Sequence, residues 1–244
     1  MIEKRGWMAR SKSLAWKAVN FLPVALRYRA FERLARANRR VAGSQRTVNS
    51  RPSFEHYWSR YRDENRMAFA AYIVRAFDNA AGELSVLDFG CHCGNMLRLL
   101  DEELKRELDY LGVDPNAENL AFARAKFERS RHHCEFVLGS DETIFELVAD
   151  RRFDIFLISS VCYAMSPAQL GRVLGAASRS AKHILIADDL SRMEARTCTL
   201  GASLLHPYRR ELLHHGFRID DAVEFRNPKV AYSGFLCASR ANSA

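Results

Sequence analysis

The chain has 244 residues, of which 48% are hydrophobic and 27% are charged, a composition that excludes a largely disordered or fibrous protein. Its length fits one domain with an extension, or two small domains. The net charge of +8 is uneven, because residues 1–50 carry a net of +10 and residues 51–244 a net of −2. We therefore divide the chain into a basic N-terminal arm, residues 1–50, and a domain, residues 51–244.

The arm has the pattern of a cationic helix. Basic and apolar residues alternate over residues 11–40. Four arginines recur at helical spacing, namely Arg29, Arg33, Arg36 and Arg40. Because proline is tolerated at a helix start, Pro23 predicts a helix over about residues 23–39, with a shorter helix before it. Residues 41–53 are a linker by composition.

Cysteine usage and hydropathy indicate a reducing, cytoplasmic compartment. The six cysteines are scattered through a chain too large to need disulfide staples, and several fall in apolar segments. The most apolar N-terminal run, residues 21–26, is short and is broken by Pro23. It predicts neither a transmembrane helix nor a signal peptide.

The domain shows the strand and helix alternation of an α/β protein. An aromatic segment, residues 54–61, precedes a helix that runs to about residue 79. The expected strands are 84–89, 110–113, 135–138, 153–159 and 183–188, and the expected helices between them are about 95–107, 117–129, 143–149 and 167–178. After an irregular stretch that begins at residue 190, the chain closes with a helix near 207–215 and two strands, about 218–225 and 231–239. This order predicts a parallel sheet with helices on both faces.

The stretch VLDFGCHCGNM, residues 86–96, runs from a strand through a turn into a helix. The strand ends at Asp88, Gly90 and Gly94 bracket the turn, and the helix begins at about Asn95. Glycine allows unusual backbone dihedral angles and a close approach of a ligand, and a helix N-terminus favours a carboxylate or phosphate. By itself, the pattern is equally typical of an ordinary tight turn.

Three later strand ends favour a cofactor site. The strand YLGV ends at Asp114, 26 residues after Asp88, where an acid can accept hydrogen bonds from both ribose hydroxyls of an adenosine. Ser140 and Asp141 follow the next strand, at a place suited to the adenine amino group. The fourth strand breaks into small and polar residues after Ser159. All of these positions lie at carboxyl ends of parallel strands, where open α/β sheets bind ligands.

In their order and spacing these segments resemble the motifs of class I S-adenosylmethionine-dependent methyltransferases. The resemblance covers residues 54–240 and is carried by VLDFGCHCGN, GVDPNAENLAFAR, GSD and FDIFLISSVCYAM, with LLHHGFRIDDAVEF and AYSGFLCAS resembling the family's closing hairpin. It implies a Rossmann-like, mostly parallel seven-stranded sheet with a C-terminal antiparallel hairpin and helices on both faces. A nicotinamide-binding Rossmann domain fits less well, because its fingerprint has three glycines and would leave the hairpin unexplained.

The resemblance further implies S-adenosyl-L-methionine as the cofactor and a role for each matching position. These roles are the methionine-end pocket for Asp88, Gly90 and Gly94, the ribose for Asp114, the adenine edge for Ser140 or Asp141, and the border of the methyl group for Ser159 or Ser160. The aromatic segment resembles the N-terminal lid helix of the family. Tyr57 and Trp58 are candidate contacts in it, and plain packing is the alternative for both.

The cysteines beside His92 raise the question of a metal. A zinc site needs ligands that converge tetrahedrally, typically from a Cys-x-x-Cys knuckle. The one-residue spacing of Cys91 and Cys93 inside a turn points the side chains apart, and the HHC run at 132–134 does not change this. We predict no metal, with Cys91 buried against the sheet and His92 in the place of a glycine.

Methyl transfer to a hydroxyl requires a base near the acceptor. The candidates are His206, Asp188 with Asp189, and Tyr163, and histidine suits a base near neutral pH. Alternatively, His206 caps the helix that starts near Pro207 and the two aspartates are solvated loop residues. A nitrogen acceptor would need no base.

The sequence resembles bacterial saccharide methyltransferases, including those that 2-O-methylate fucose on nodulation factors. This predicts O-methylation of a sugar hydroxyl on a glycan, glycolipid or lipo-oligosaccharide. For residues 11–40 we expect binding to an anionic membrane surface at the cytosolic face, with RNA phosphates or packing on the domain as alternatives. The slightly acidic domain has no recognisable RNA-binding module, which disfavours nucleic acid. An RNA or protein methyltransferase and a non-catalytic interaction domain are the alternative functions.

Overall fold

A computed structural model of the chain describes residues 57–59, 61–62, 64–79, 82–189, 198–200, 203–225 and 233–241. The predicted basic helix, the linker and the boundary at residue 50 lie outside these ranges. Within the described ranges, no helix has the length and apolar character needed to cross a membrane.

The described residues form six α-helices, nine strands and one 3-10 helix. The helices are α1 (Glu64–Phe77), α2 (Asn95–Glu103), α3 (Ala117–Phe127), α4 (Ile144–Leu147), α5 (Pro167–Ser180) and α6 (Tyr208–His214), and the 3-10 helix is Cys162–Ala164. The strands are β1 (Leu84–Phe89), β2 (Leu108–Asp114), β3 (His133–Leu138), β4 (Phe153–Ser159), β5 (Ala181–Asp189), β6 (Cys198–Leu200), β7 (Ser203–Leu205), β8 (Phe217–Phe225) and β9 (Ser233–Arg240).

Seven strands form one sheet in the order β3-β2-β1-β4-β5-β9-β8. The first five strands of this order are parallel, whereas β9 runs antiparallel to both β5 and β8. The predicted fold, a Rossmann-like sheet with a C-terminal antiparallel hairpin, is confirmed. The strands β6 and β7 pair as a separate small hairpin, which lies in the stretch that we expected to be irregular.

The central strand β4 shows why the sheet is covered on both faces. Successive side chains of a strand point to opposite faces. Phe156 and Ile158 accordingly belong to one buried cluster with α4, α5 and α6, and Ile155 and Leu157 belong to the other with α1, α2 and α3. Apolar burial on both faces is the pattern expected of a central parallel strand. Because helices cover both faces of the sheet, a ligand site can form at the loops that follow the carboxyl ends of the strands.

Local signals set most of the element boundaries. The strands β1 and β4 have the predicted limits, and α5 begins where Ser166 and Gln169 form a capping box ahead of Pro167. The helix α2 ends at Glu103 and not near residue 107, because Leu104 adopts an extended conformation. The helix α4 is a single turn, shorter than predicted.

Candidate functional site

The turn after β1 is held in a left-handed backbone conformation at three positions. The φ angles are 79° at Gly90, 51° at His92 and 82° at Gly94, in the region where side chains with a Cβ are strained. A Cβ at Gly90 would also clash with Val161 Cγ2, and one at Gly94 would lie 2.6 Å from the ring of Phe127. Glycine at positions 90 and 94 therefore serves both the turn and the packing beside it.

His92 takes the place of a glycine without leaving the turn. Its backbone N–H donates to Asp114 Oδ2 at 3.0 Å, and its half-buried ring meets Tyr57 edge-on at 5.2 Å. Burial lowers the pKa of the imidazole below its usual value, so the ring is neutral near pH 7. The side chain thus contacts the aromatic segment that precedes the domain.

The neighbouring cysteines are buried thiols. Cys91 is buried against the sheet, as predicted, with its Sγ 2.9 Å from the place of a Cβ at Gly112. The Cys93 thiol lies 3.4 Å from Asn95 Oδ1 and donates to it. Burial raises the pKa of both thiols, which keeps them protonated. Across the described ranges, no group of three or more His, Cys, Asp or Glu side chains is arranged to hold a metal ion.

Asp88 is a buried carboxyl group at the end of β1. It is 2% exposed, and the hydroxyl of Tyr110 donates to its Oδ2 at 2.6 Å. Desolvation raises its pKa to about 7, and the nearby Asp114 carboxylate acts in the same direction. A perturbed carboxyl group in this position is typical of a functional site.

Asp114 ends the neighbouring strand and is fixed in orientation. Its Oδ1 accepts hydrogen bonds from the Asn116 N–H at 2.9 Å and from Asn119 Nδ2 at 3.0 Å, while Oδ2 accepts from His92. Both oxygens are held, and Oδ2, with one bond to two lone pairs, retains acceptor capacity. The β1 turn and the start of α3 thus converge on one buried carboxylate.

Asn119 was missed by sequence reasoning. It lies in the first turns of α3 and is buried, and its Oδ1 has no hydrogen-bond partner among the described residues. Buried polar atoms are rarely left unpaired, so such an atom asks for an explanation. Its position beside Asp114 makes it a candidate acceptor for a ligand hydroxyl or amino group. The sequence held one signal for Asn119: asparagine is a weak helix former, and this one lies only a few residues after the end of β2.

The loop after β3 places the two candidate adenine residues differently. Asp141 is buried, and its carboxylate accepts from Gln169 Nε2 at 3.0 Å and from Arg172 of α5. Its side chain therefore joins the loop to α5. Ser140 is half-buried, and its Oγ accepts from the Glu142 N–H at 3.2 Å. Leu138, which the sequence did not single out, is 58% exposed at the end of β3 and offers an apolar surface beside this loop.

The end of β4 carries a second strained position. Ser159 lies opposite Ala187 in the sheet. Ser160 has a φ of 57°, and its N–H donates to the Ala187 carbonyl at 2.7 Å. A non-glycine residue in this conformation costs about 1 kcal/mol or more and is often found at a functional site. The two serines therefore lie at the strand end that was predicted to border the methyl group of the cofactor.

The three predicted catalytic residues come together around the 3-10 helix. Asp188 Oδ2 accepts from the Tyr163 N–H and from the Tyr208 hydroxyl, each at 3.1 Å, and the carboxylate is buried. The Tyr163 side chain is 39% exposed. His206 Nε2 lies 2.9 Å from the Cys162 carbonyl oxygen and donates to it.

His206 is built into the interior. It is 1% exposed and burial lowers its pKa. The helix α6 has Pro207 at its N-cap position, so the alternative role of His206, capping this helix, is wrong. The imidazole instead holds the 3-10 helix through a backbone carbonyl, a contact between residues 44 positions apart.

The aromatic segment lies against the β1 turn. Asn95 Nδ2 donates to the Tyr57 carbonyl at 3.2 Å, and the Tyr57 side chain is 48% exposed. Trp58 packs edge-on against the ring of Phe127 and lies under the guanidinium of Arg98 at 4.4 Å. Trp58 therefore has the packing role that we kept as an alternative, whereas Tyr57 borders the site.

Arg66 is a further residue that the sequence did not reveal. It lies in α1 and is half-buried. Burial raises the pKa of the Cys93 thiol, and the positive charge of Arg66 opposes that change. The same charge, together with burial, lowers the pKa of His92. Arg66 thus puts a cation next to the turn that was predicted to hold the methionine end of the cofactor.

Comparison with known proteins agrees with this geometry. Residues 86–183, less than half of the chain, match a family model described as a methyltransferase domain. This segment runs from β1 to β5 and contains Asp88 and Asp114. No curated protein sequence matches the chain.

Several solved structures share the fold. Magnesium protoporphyrin IX methyltransferase from Synechocystis PCC 6803, solved with bound SAM, has a TM-score of 0.60 and 15% identity over 82% of this chain and 96% of that chain. The N-terminal domain of EvdMO1, solved in the presence of SAH and D-fucose, has a TM-score of 0.54 and 17% identity over 74% and 84%. Geranyl diphosphate C-methyltransferase from Streptomyces coelicolor A3(2) has a TM-score of 0.55 and 12% identity over 71% and 80%. The fold is therefore the Rossmann-like fold of the S-adenosylmethionine-dependent methyltransferases.

Proposed function

We propose that the protein is an S-adenosylmethionine-dependent methyltransferase whose cofactor lies across the carboxyl ends of β1 to β4. The observation that carries the proposal is the pair of buried carboxyl groups, Asp88 and Asp114, on neighbouring parallel strands beside a turn in the left-handed conformation. Open α/β sheets bind ligands at this edge. The family match over residues 86–183 supports the same class of enzyme.

The residues present fit the chemistry of this cofactor. Asp114 would accept from the ribose hydroxyls, and the unpaired Oδ1 of Asn119 offers one further acceptor nearby. Ser140 and the exposed Leu138 would border the adenine, and Asp141 acts indirectly by holding the loop to α5. When bound, the cofactor supplies an electrophilic methyl group on a sulfonium.

Charges at the β1 turn suit the methionine end. Gly90 and Gly94 give the turn its left-handed backbone, Asp88 would face the ammonium group, and Arg66 would face the carboxylate. Because the pKa of Asp88 is near 7, a neighbouring cation would favour its ionised form. Tyr57 would cover this end from the lid, together with His92.

For the acceptor we propose a sugar hydroxyl on a glycan, glycolipid or lipo-oligosaccharide. EvdMO1, whose N-terminal domain was solved in the presence of D-fucose, shares the fold, as do enzymes named for a porphyrin and for geranyl diphosphate. The proposal therefore depends on the sequence resemblance. We also propose that residues 11–40 bring the enzyme to an anionic membrane surface at the cytosolic face.

A hydroxyl acceptor must lose a proton during transfer. Asp188 and Tyr163 are the better candidates for this step, since Tyr163 is partly exposed and Asp188 contacts its backbone. His206 is poorly suited, because its buried ring donates to the Cys162 carbonyl. Its effect on activity would come through the position of the 3-10 helix.

Calorimetric titration with S-adenosylmethionine tests the cofactor proposal. We expect saturable binding by the wild-type protein and at least about hundredfold weaker binding by Asp114→Ala, because a carboxylate that accepts from hydroxyl groups is lost. Asp109→Ala is the matched control, since Asp109 lies on the same strand and is exposed at its other end. Absence of binding by the wild type, or an equal loss in both variants, would contradict the proposal.

The acceptor is tested by incubating the protein and labelled S-adenosylmethionine with fractionated cell extract. Label in the saccharide or glycolipid fraction supports the proposed acceptor, and label in RNA or protein overturns it. Co-sedimentation with anionic vesicles, with and without residues 1–45, tests the arm. Equal binding by both chains would remove the membrane proposal.

A further inference from the structure

A groove of about 770 Å³ lies at the amino ends of the parallel strands, whereas the candidate cofactor site lies at their carboxyl ends. It opens among the start of β4, the C-terminal ends of α5 and α6, and the end of β9. Its lining residues are Phe145, Val148, Ala149, Arg152, Ser178, Arg179, His215, Gly216, Arg240 and Ala241. This volume is in the range of small-molecule sites.

The charge of the groove is entirely positive. Arg152, Arg179 and Arg240 line it, and none of its lining residues is acidic. In the part of the chain that the structure describes, none of these three guanidinium groups forms an ion pair, whereas Arg151 pairs with Glu135 and Arg218 pairs with Asp220. Three uncompensated arginines therefore face one cavity on a domain whose net charge is slightly negative.

An aromatic side chain in the lining of the groove contacts one of the arginines. The guanidinium of Arg179 lies 4.9 Å from the centroid of the Phe145 ring, a cation–π distance. Gly175 makes room for this ring, because a Cβ there would lie 3.1 Å from Phe145 Cζ and 3.9 Å from His215 Cε1. Glycine is a weaker helix former than alanine in the interior of α5, and at this position it leaves space for the Phe145 ring.

An ordinary structural role explains only part of this arrangement. Arg179 lies in the last turn of α5, where a cation interacts favourably with the helix dipole. Arg152, however, precedes β4, and Arg240 is the last residue of β9. The three arginines come from segments far apart in the sequence and converge on the same groove.

We propose that this groove binds a phosphorylated small molecule, with its phosphate or diphosphate held by Arg152, Arg179 and Arg240 and its less polar part on Phe145. Guanidinium groups bind phosphate oxygens in a bidentate geometry and are always charged. The site is distinct from the cofactor site, since the two lie at opposite ends of the parallel strands. Ligand in the groove would contact α5, whose other end holds the loop after β3 through Arg172 and Asp141.

Calorimetric titration of the full-length protein with sodium pyrophosphate at physiological salt tests the site. We expect saturable binding by the wild type and about tenfold weaker binding by Arg152→Gln and by Arg179→Gln, because each removes charge-assisted hydrogen bonds. Arg129→Gln is the control, since Arg129 is also exposed and lies outside the groove. All variants should keep the wild-type affinity for S-adenosylmethionine.

Three results would overturn the proposal. They are no saturable binding of pyrophosphate, equal weakening in Arg129→Gln, or an unchanged affinity in both groove variants, which would place the binding on another basic surface such as the arm. A parallel titration with a single-stranded RNA oligonucleotide separates the two phosphate sources. If the groove variants weaken RNA binding but not pyrophosphate binding, the groove is a polymer site and the small-molecule proposal fails.

Discussion

The candidate cofactor site at the carboxyl ends of the parallel strands and the groove at their amino ends differ in charge. At the carboxyl ends, the buried polar groups include four acids, Asp88, Asp114, Asp141 and Asp188. At the amino ends, a groove is lined by exposed arginines and no acid. The backbone differs as well, because the left-handed non-glycine residues His92 and Ser160 both follow carboxyl ends.

The topology accounts for much of this contrast. In a parallel α/β sheet, the loops at the carboxyl ends lead into helix N-termini, whose N–H groups stabilise negative charge. The N–H groups of His92 and Asn116 bind Asp114 in this way. The amino ends receive helix C-termini, which favour cations. A buried acid is thus tolerated at one edge, and a cluster of cations at the other.

The largest effect should come from removing the buried acid Asp88. Its pKa of about 7 in the folded protein lies above its ordinary value of 3.8, so the folded state keeps a proton that the unfolded chain releases between these values. The stabilisation of the folded state by this proton on Asp88 is complete below about pH 4 and is lost as the pH rises through about 7. The asparagine side chain of Asp88→Asn can still accept the hydrogen bond from Tyr110. We compare the free energy of unfolding of this variant with that of the wild type. The difference should shift in favour of the variant by on the order of 4 kcal/mol between pH 4 and pH 8.

Urea denaturation of both proteins at several pH values between 4 and 8 measures this difference. Asp150→Asn, at an exposed position after α4, controls for the loss of one carboxylate. If the free energies of unfolding of Asp88→Asn and the wild type follow parallel pH profiles, the carboxyl edge does not hold a perturbed acid. The two ends of the parallel strands would then differ in backbone conformation but not in the pKa of a buried acid.

Glycine substitutions compare the backbone at the two edges. Gly90→Ala should lower the free energy of unfolding by about 3 kcal/mol, because a positive φ and a clash with Val161 act together. Gly175→Ala, beside the groove, has an ordinary helical φ, and its Cβ would meet the Phe145 ring at 3.1 Å. In Gly175→Ala, the gain of about 1 kcal/mol in helix propensity offsets the cost of moving the Phe145 ring. Gly171→Ala in the same helix meets nothing within 4 Å and should show the gain alone.

Chemical denaturation of the three alanine variants checks these values. Near-equal losses in the free energy of unfolding for Gly90→Ala and Gly175→Ala would show that the two ends of the strands do not differ in backbone strain. The double variant Gly90→Ala with Val161→Ala separates the two causes at the carboxyl edge. It should recover the part of the loss that comes from the clash and keep the part that comes from φ.

The predictable part of the site was the part encoded by short-range patterns. Asp88, Gly90 and Gly94 stand in one strand and turn, and Asp114 ends the next apolar run, so sequence alone placed them at one edge of a parallel sheet. The parallel sheet with helices on both faces followed from the same alternation, whereas the final hairpin followed from the resemblance to the methyltransferase family. The hairpin of β6 and β7 was missed because a three-residue strand is too short to show a period.

The unpredicted part depends on burial and on contacts across the fold. His206 has the residue type of a base, but its ring is buried against a carbonyl that comes from the segment after β4. Asn119 looks like an ordinary helix residue until its Oδ1 is seen to be buried without a partner among the described residues. Arg66 precedes the turn by more than twenty positions, and the packing of α1 on α2 brings its charge near the turn.

The smallest expected effect concerns His92, the residue that replaces a glycine in the turn. Since its φ is 51°, His92→Gly should be more stable than His92→Ala by about 1 kcal/mol, because alanine keeps the strain that glycine relieves. Both variants lose the ring contact with Tyr57 equally, so their difference isolates the backbone. Both keep the N–H that binds Asp114, and we expect both to keep the cofactor affinity. Tighter binding of S-adenosylmethionine in both variants would show instead that the imidazole crowds the site, and equal stability of the two would show that the turn stores no strain at this position.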